Sequence, residues 1–230
     1  MTQTITSFTW SDLQDIFKEE APSIPLRLMF DDGTLQQVLP EIAQLYGVEQ
    51  PKAHHPEGHA FEHTMQVLDE MRKLTDNPAY LMAALCHDVG KGITPMELRP
   101  KHHNHEKNGV PIAQTICERL NVPADVMEAT LVGTENHGKF HRVFDMRAVR
   151  LVDFLNFHHE SALGIKGIAY LGLCDHRGRN NPKGNHECYD AWFEMWAFMT
   201  AQPALPGERP DDTRKRHAKA IDYIRKNYMK

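Results

Sequence analysis

Cysteine is scarce in this chain and unpatterned: Cys86, Cys117, Cys174 and Cys188 are irregularly spaced, form no CxxC, and several lie inside apolar runs. A disulfide framework and a thiolate zinc site are therefore excluded as organising devices, and the four read as reduced core residues. Long apolar runs are missing too. The stretch "YLMAALC" at 80–86 falls far short of the roughly 20 residues a membrane helix requires, so no membrane partner is expected. The start, "MTQTITSFTWSD", has no basic segment leading into an apolar one, which points away from export and towards a cytoplasmic location. Charge of one sign is weakly represented: a formal net charge of −5 argues against a surface given over to polyanions, while leaving room for a local basic patch. Sustained two-residue alternation is absent, as is an interior Asn-Gly hairpin signal, so strands are not expected.

What is present is helical periodicity. With 230 residues and 41% apolar content the chain can bury one core with helical extensions. The pattern predicts an all-α fold with helices at 10–20, 34–46, 63–74, 78–88, 105–120, 123–136, 145–158, 160–174, 188–201 and 212–228. Punctuation at "DNP" (76–78), "NVPAD" (121–125) and the Pro-rich "QPALPGERPDD" (202–212) supports these divisions. The last predicted helices carry two further patterns. Trp192, Phe193, Trp196 and Met199 recur at helical spacing and read as a packing face, and the basic terminus "TRKRHAKAIDYIRKNYMK" reads first as a solvated amphipathic face and second as an RNA backbone contact.

Histidine is the unusual entry: ten of 15 fall between His54 and His141. Two of them occupy a suggestive geometry. The predicted helices 63–74 and 78–88 are joined by only "TDN", so they should run antiparallel. His63 then lies about 16 Å back from the turn and His87 about 14 Å forward, which makes them nearly level. The second helix is apolar almost all round, so "ALCHDVGKG" (84–92) carries an imidazole and a carboxylate into the interior. An unpartnered buried carboxylate costs several kcal/mol, and a divalent cation would satisfy Asp88 and His87 together. Adjacent side chains diverge by about 100° in a regular helix, so the pair can share a target only at the helix end, which Gly90 and Gly92 are placed to supply. Further donors follow in "PKHHNHEKNG" (100–109), "TENHGKFH" (134–141) and "RLVDFLN" (150–156).

These residues resemble the HD superfamily of metal-dependent phosphohydrolases, whose pattern is a His, a His-Asp pair and a later Asp. The segments "LYGVEQPKAHHPEGHAFEHTMQVLDEM", "ALCHDVGKGITPMELRPKHHNHEKNG" and "ICERLNVP" are further similar to the HD half of bacterial multifunctional CCA-adding tRNA nucleotidyltransferases. Flanking "LQQVLPEIAQLYGVEQP", "CDHRGR" and "DDTRKRHAKAI" extend the likeness over most of the chain. The resemblance implies an HD-domain helical bundle at 51–180, a helical segment at 1–50 and C-terminal helices at 181–230 packed on the HD domain. Nothing in residues 1–50 matches the nucleotidyltransferase head, so CCA addition by this chain alone is not expected. Where the family shows His-Asp after the fourth core helix, this chain has His137-Gly138, with His141 as a candidate replacement.

By resemblance, His63, His87, Asp88 and Asp153 form a first metal site, with Asp175 as the alternative last ligand; His105 and His137 would bind a second ion through a bridging Asp88. His87, Asp88 and Lys91 are the catalytic candidates, Lys91 as a phosphate contact. His102 and His103 are candidate substrate contacts, although exposed loop positions explain them equally well. Arg177 and Arg179 are phosphate-facing or structural, and His54, His55 and His59 read as solvated loop residues. Imidazole and carboxylate without thiolate suit Mn, Fe, Co, Ni or Mg. The implied reaction is hydrolysis of a phosphate ester by metal-activated water, with no covalent enzyme intermediate. Substrates would be nucleotides or RNA 3′ ends, tRNA included, through 2′,3′-cyclic phosphodiesterase, 2′-nucleotidase or phosphatase activity. The alternatives are a (deoxy)nucleoside phosphate hydrolase of nucleotide metabolism and a non-catalytic tRNA-binding module.

Overall fold

A computed structural model describes residues 8–179 and 186–228, apart from the side chain of His186. Among these residues the fold is all-α, with twelve α-helices and no strand beyond an isolated bridge between Glu49 and His59. The helices are α1 (Trp10–Lys18), α2 (Ser23–Asp31), α3 (Leu35–Val38), α4 (Pro40–Ala43), α5 (Ala60–Leu74), α6 (Pro78–Cys86), α7 (His105–Leu120), α8 (Ala124–Phe140), α9 (Ala148–Glu160), α10 (Gly164–Arg177), α11 (His186–Ala201) and α12 (Pro210–Tyr228). No helix among the described residues is long and apolar enough to cross a membrane.

Helix α6 is the axis. Its start is fixed locally: Pro78 needs no amide partner at the first helical position, and the Asn77 side chain accepts from the Ala79 amide at 3.0 Å. From there Leu81, Met82 and Leu85 are fully enclosed, each contributing about 1.5 to 3 kcal/mol by leaving water. α5, α8 and α10 all pack around α6, so one apolar helix is wrapped by three amphipathic ones whose polar residues meet at its C-terminal end. α7 packs on α8, while α12 covers α9 and α11. Trp192 and Met199 of α11 are buried, with Phe193 and Trp196 packed against the core. All four cysteines are buried, and no disulfide joins them among the described residues.

Two expectations fail at the N-terminal end. The single helix expected at 34–46 is two single turns, because Pro40 cannot donate an amide and forces Leu39 out of the helical region (φ −135°, ψ 60°). The periodic pattern does not announce α2. Its first amide and hydroxyl, both of Ser23, bond to Asp69 of α5 at 3.0 and 2.6 Å, and Arg27 grips Glu62 with two bonds. The cap of α2 thus comes from a residue 46 positions away, which no local pattern displays.

Candidate metal centre

Five helices deliver side chains to one point at the end of α6. α5 contributes His63, and α6 stops at Cys86, so that His87 and Asp88 occupy the turn leading into a 3-10 segment, Val89–Ile93. α7 opens with His105, α8 supplies His137, and α10 supplies Asp175. The backbone at Asp88 has turned to φ −107°, ψ 7°, which lets its carboxylate share a target with the neighbouring imidazole. Gly90 has a different use from ending the helix: a Cβ there would lie 2.1 Å from the His105 carbonyl oxygen and 2.6 Å from the Gly109 amide nitrogen. Its missing side chain lets the start of α7, and with it His105, approach Asp88.

The imidazoles share one orientation. His63 Nδ1 lies 2.9 Å from the carboxylate of Glu57, His87 Nδ1 lies 2.8 Å from the Ala84 carbonyl, His105 Nδ1 lies 2.8 Å from the His102 carbonyl, and His137 Nδ1 lies 3.1 Å from the Thr134 carbonyl. Each oxygen can only accept, so each Nδ1 donates to it, and each Nε2 is the ring nitrogen directed inward, where it can exchange a proton for a cation. All four Nε2 atoms lie near Asp88: those of His63 and His87 at 3.6 and 3.2 Å from Oδ2, those of His105 and His137 at 3.2 and 3.5 Å from Oδ1. His87 Nε2 is buried with no hydrogen-bond partner. The Nε2 atoms of His105 and His137 face each other at 3.3 Å, a repulsive meeting of lone pairs unless a cation or a proton lies between them. Among the described residues three triads have ligand atoms close enough to hold an ion, His55-Glu57-His63, His63-His87-Asp88 and Asp88-His105-His137, and the last two share Asp88. The donor set and its orphaned nitrogen fit a divalent cation.

Asp175 closes the cluster. Its Oδ1 is 3.0 Å from His63 Nε2, its Oδ2 is 2.6 Å from His141 Nε2, and Arg179, one helical turn on, reaches both oxygens. Burial alone would raise the carboxyl pKa of Asp175, but Arg179 and His141 hold it well below the ordinary value. The same opposition acts at Asp88, where burial is outweighed by His87 and Lys91. Lys91 Nζ sits 2.6 Å from both Asp88 Oδ2 and Gln50 Oε1. Burial would also raise the carboxyl of Glu57, yet the bonds from His55 and His63 bring it down to about 2. The His63 pKa is raised, since Asp175 and Glu57 overcome burial, whereas burial pulls His137 down. Above the cluster opens a cavity of about 310 Å³ lined by Lys91, Lys101, His102, His103 and Arg179, among others.

The fold thus brings together His63, His87, Asp88, His105 and His137, with Lys91, His102, His103, His141 and Arg179 beside them. Two residues named from the sequence lie elsewhere. Asp153 is not in the cluster: it forms a bidentate pair with Arg214 of α12 at 2.6 Å, on a half-exposed face. The carboxylate that does join the cluster is Asp175, carried there by α10, which packs on α5. Arg177 stands two residues from Asp175, about 200° around α10, and does not line the cavity. His102 is held by Thr94 and the Glu49 carbonyl, His103 is exposed. The loop histidines divide: His54 is exposed, but His55 is buried and bonded to Glu57. Glu57 itself was missed. Its sequence signal was the acid six residues before His63, in "HHPEGH". At Gly138 a Cβ would stand 3.0 Å from Glu106 Oε1, so the space beside His137 is taken by a carboxylate from α7, and His141 serves Asp175 instead.

The HD domain family matches residues 60–226. Curated relatives include multifunctional CCA proteins of Methylococcus capsulatus (40% identity over 64% of this chain and 35% of the relative), Alkalilimnicola ehrlichii (36%, over 84% and 48%) and Janthinobacterium sp. (33%, over 90% and 50%). The chain therefore spans between about a third and a half of the length of these relatives. With the matched residues covering well over half of its length and the His-Asp pair at the centre of the fold, this chain belongs to the HD domain family.

Proposed function

We propose that the protein is a metal-dependent phosphohydrolase acting on nucleotides or RNA 3′ ends, as a 2′,3′-cyclic phosphodiesterase, 2′-nucleotidase or phosphatase. The observation that carries this reading is the convergence of four imidazole Nε2 atoms on the carboxylate of Asp88 beneath a cation-lined cavity. His63, His87, Asp88 and Asp175 would hold one divalent ion, and His105 and His137, sharing Asp88, a second. Such an ion lowers the pKa of a bound water and polarises a phosphoryl oxygen.

The chain's own residues do the rest. Glu57 and the three carbonyls fix the imidazole tautomers, and Arg179 with His141 holds the Asp175 carboxylate in place. Lys91, Arg179 and Lys101 put positive charge on the cavity wall where a phosphate would rest, and His102 and His103 stand at its mouth. With nitrogen and oxygen donors only, Mn, Fe, Co, Ni and Mg are the fitting metals. The likeness to multifunctional CCA proteins favours an RNA 3′ end, that of tRNA included, over a free deoxynucleotide. The reduced cysteines accord with a cytoplasmic setting.

The test is a screen of 2′,3′-cyclic nucleotides, 2′-nucleotides and deoxynucleoside triphosphates against these metals, with Asp88→Ala as control. Turnover of the first two classes that vanishes in the variant is expected. Turnover of deoxynucleoside triphosphates alone would transfer the protein to nucleotide metabolism, and no turnover of any would leave a binding module.

A further inference from the structure

The residues around α9 and α12 carry a second feature that the metal centre does not use. Between the start of α9 and the middle of α12 runs a groove of about 770 Å³ lined by Arg147, Arg150, Arg214, Lys215 and Lys219, with Asp222 as its acidic member. Three acids nearby are already engaged: Asp153 by Arg214, Asp211 by Lys215 at 3.5 Å, and Asp222 by Arg225 at 2.6 Å. Arg147, Arg150 and Lys219 are exposed and unmatched by any acid among the described residues. Helix α9 has no acidic residue in its first turn, so its amides and dipole add to the positive potential at the groove. This concentration stands out in a chain whose formal net charge is −5.

Only a short stretch of chain separates the groove from the metal centre. His141, which bonds Asp175, is six residues before Arg147, and six residues of chain span no more than about 22 Å. Arg225 of α12 ties this connecting segment down through the carbonyls of Val143 and Met146.

We propose that this groove binds the phosphate backbone of an RNA whose 3′ end enters the metal centre, with Arg147, Arg150 and Lys219 as the phosphate contacts. The partner is a polyanion with regularly spaced charges, because the lining offers separated cations and no aromatic ring on which bases would stack. The inference rests on the reading of the metal centre as a site for RNA 3′ ends, and the experiment separates the two.

Arg147→Glu, Arg150→Glu and Lys219→Glu combined, with the milder triple change to Gln as a second variant, are compared with the intact chain. The readouts are binding of an RNA stem whose single-stranded 3′ end carries a 2′,3′-cyclic phosphate, and hydrolysis of a 2′,3′-cyclic mononucleotide. About a tenfold or greater loss of RNA affinity is expected, with the salt slope shallower by about two for three lost single-strand contacts and mononucleotide hydrolysis unchanged. RNA affinity and salt slope unaltered in both variants would overturn the proposal. Polyglutamate competing as well as RNA for the same groove would also overturn it, as a site for acidic protein. An intact chain that binds RNA through the groove yet hydrolyses no substrate would leave this inference standing and remove the catalytic reading alone.

Discussion

The imidazole of His63 meets the carboxylate of Asp175, 112 residues further along the chain, at 3.0 Å. That contact, and not one with Asp153, completes the carboxylate set at the end of α6. Asp175→Asn should therefore lower kcat/KM by about 100-fold or more, since altering even an outer partner of a metal site typically costs 10- to 100-fold. Asp153→Asn removes a half-exposed ion pair with Arg214, of a kind that contributes little to stability, and should leave kcat/KM unchanged. Steady-state kinetics on both variants decide the matter: equal losses, or a greater loss at Asp153, would return the ligand to α9.

Glu57 acts through His63. Its side chain is fully buried, and Oε1 takes hydrogen bonds from His63 Nδ1 at 2.9 Å and His55 Nδ1 at 2.8 Å. Glu57→Gln keeps the shape but replaces a charged acceptor with a weaker neutral one and brings in an amide donor. A fall in metal affinity of 10- to 100-fold is expected, read from calorimetric titration with Mn or Ni. Conversely, unaltered affinity would reduce Glu57 to a loop anchor.

The legibility of the site follows its physics. His63 and His87 could be levelled from chain length because two helices with a three-residue turn leave little freedom, and their ring centroids lie 5.4 Å apart. Asp88 was legible because a carboxylate at the end of an apolar helix demands a cation. Asp153 misled for the same reason: it sits among Val152, Phe154 and Leu155, but its partner Arg214 comes from α12, 61 residues away. Choosing between Asp153 and Asp175 required knowing which helix packs on α5, and that depends on tertiary packing outside any sequence window. Glu57 and the Asp69 cap of α2 were hidden likewise, each being defined by a partner in another element.

Gly90 carries a packing constraint at the heart of the site. A methyl group there would collide with backbone atoms of His105 and Gly109, at 2.1 and 2.6 Å, and backbone cannot swing aside as a side-chain tip can. Gly90→Ala should displace the start of α7 and cost about 2 kcal/mol or more, a fall in Tm of roughly 4 to 8 °C. Because His105 moves with that segment, activity should fall further than the loss of folded protein accounts for. Thermal melts paired with kinetics well below the Tm read both effects, and a variant with unchanged Tm would refute the packing argument.

His158 gives the fold an acid sensitivity separate from the metal centre. It is fully buried on α9, neither ring nitrogen has a hydrogen bond among the described residues, and Phe154, Phe157 and Trp192 present edges or faces at 4.5, 5.0 and 6.2 Å. Burial, aided by the charge of Lys139, lowers its pKa from 6.5 to about 3. The unfolded chain takes up a proton near pH 6.5 that the folded chain refuses until about pH 3. Stability from this residue is therefore complete above pH 6.5 and declines as the pH falls, with a slope approaching about 1.4 kcal/mol per pH unit. His158→Leu removes the proton uptake while keeping an apolar side chain of similar size. Urea melts between pH 6.5 and 5 should show the variant losing stability more slowly than the parent, by close to one proton's slope, with kcat/KM at pH 7.5 unaffected. Parallel stability curves would show that His158 is protonated in the folded protein and that its pocket is more polar than its neighbours imply.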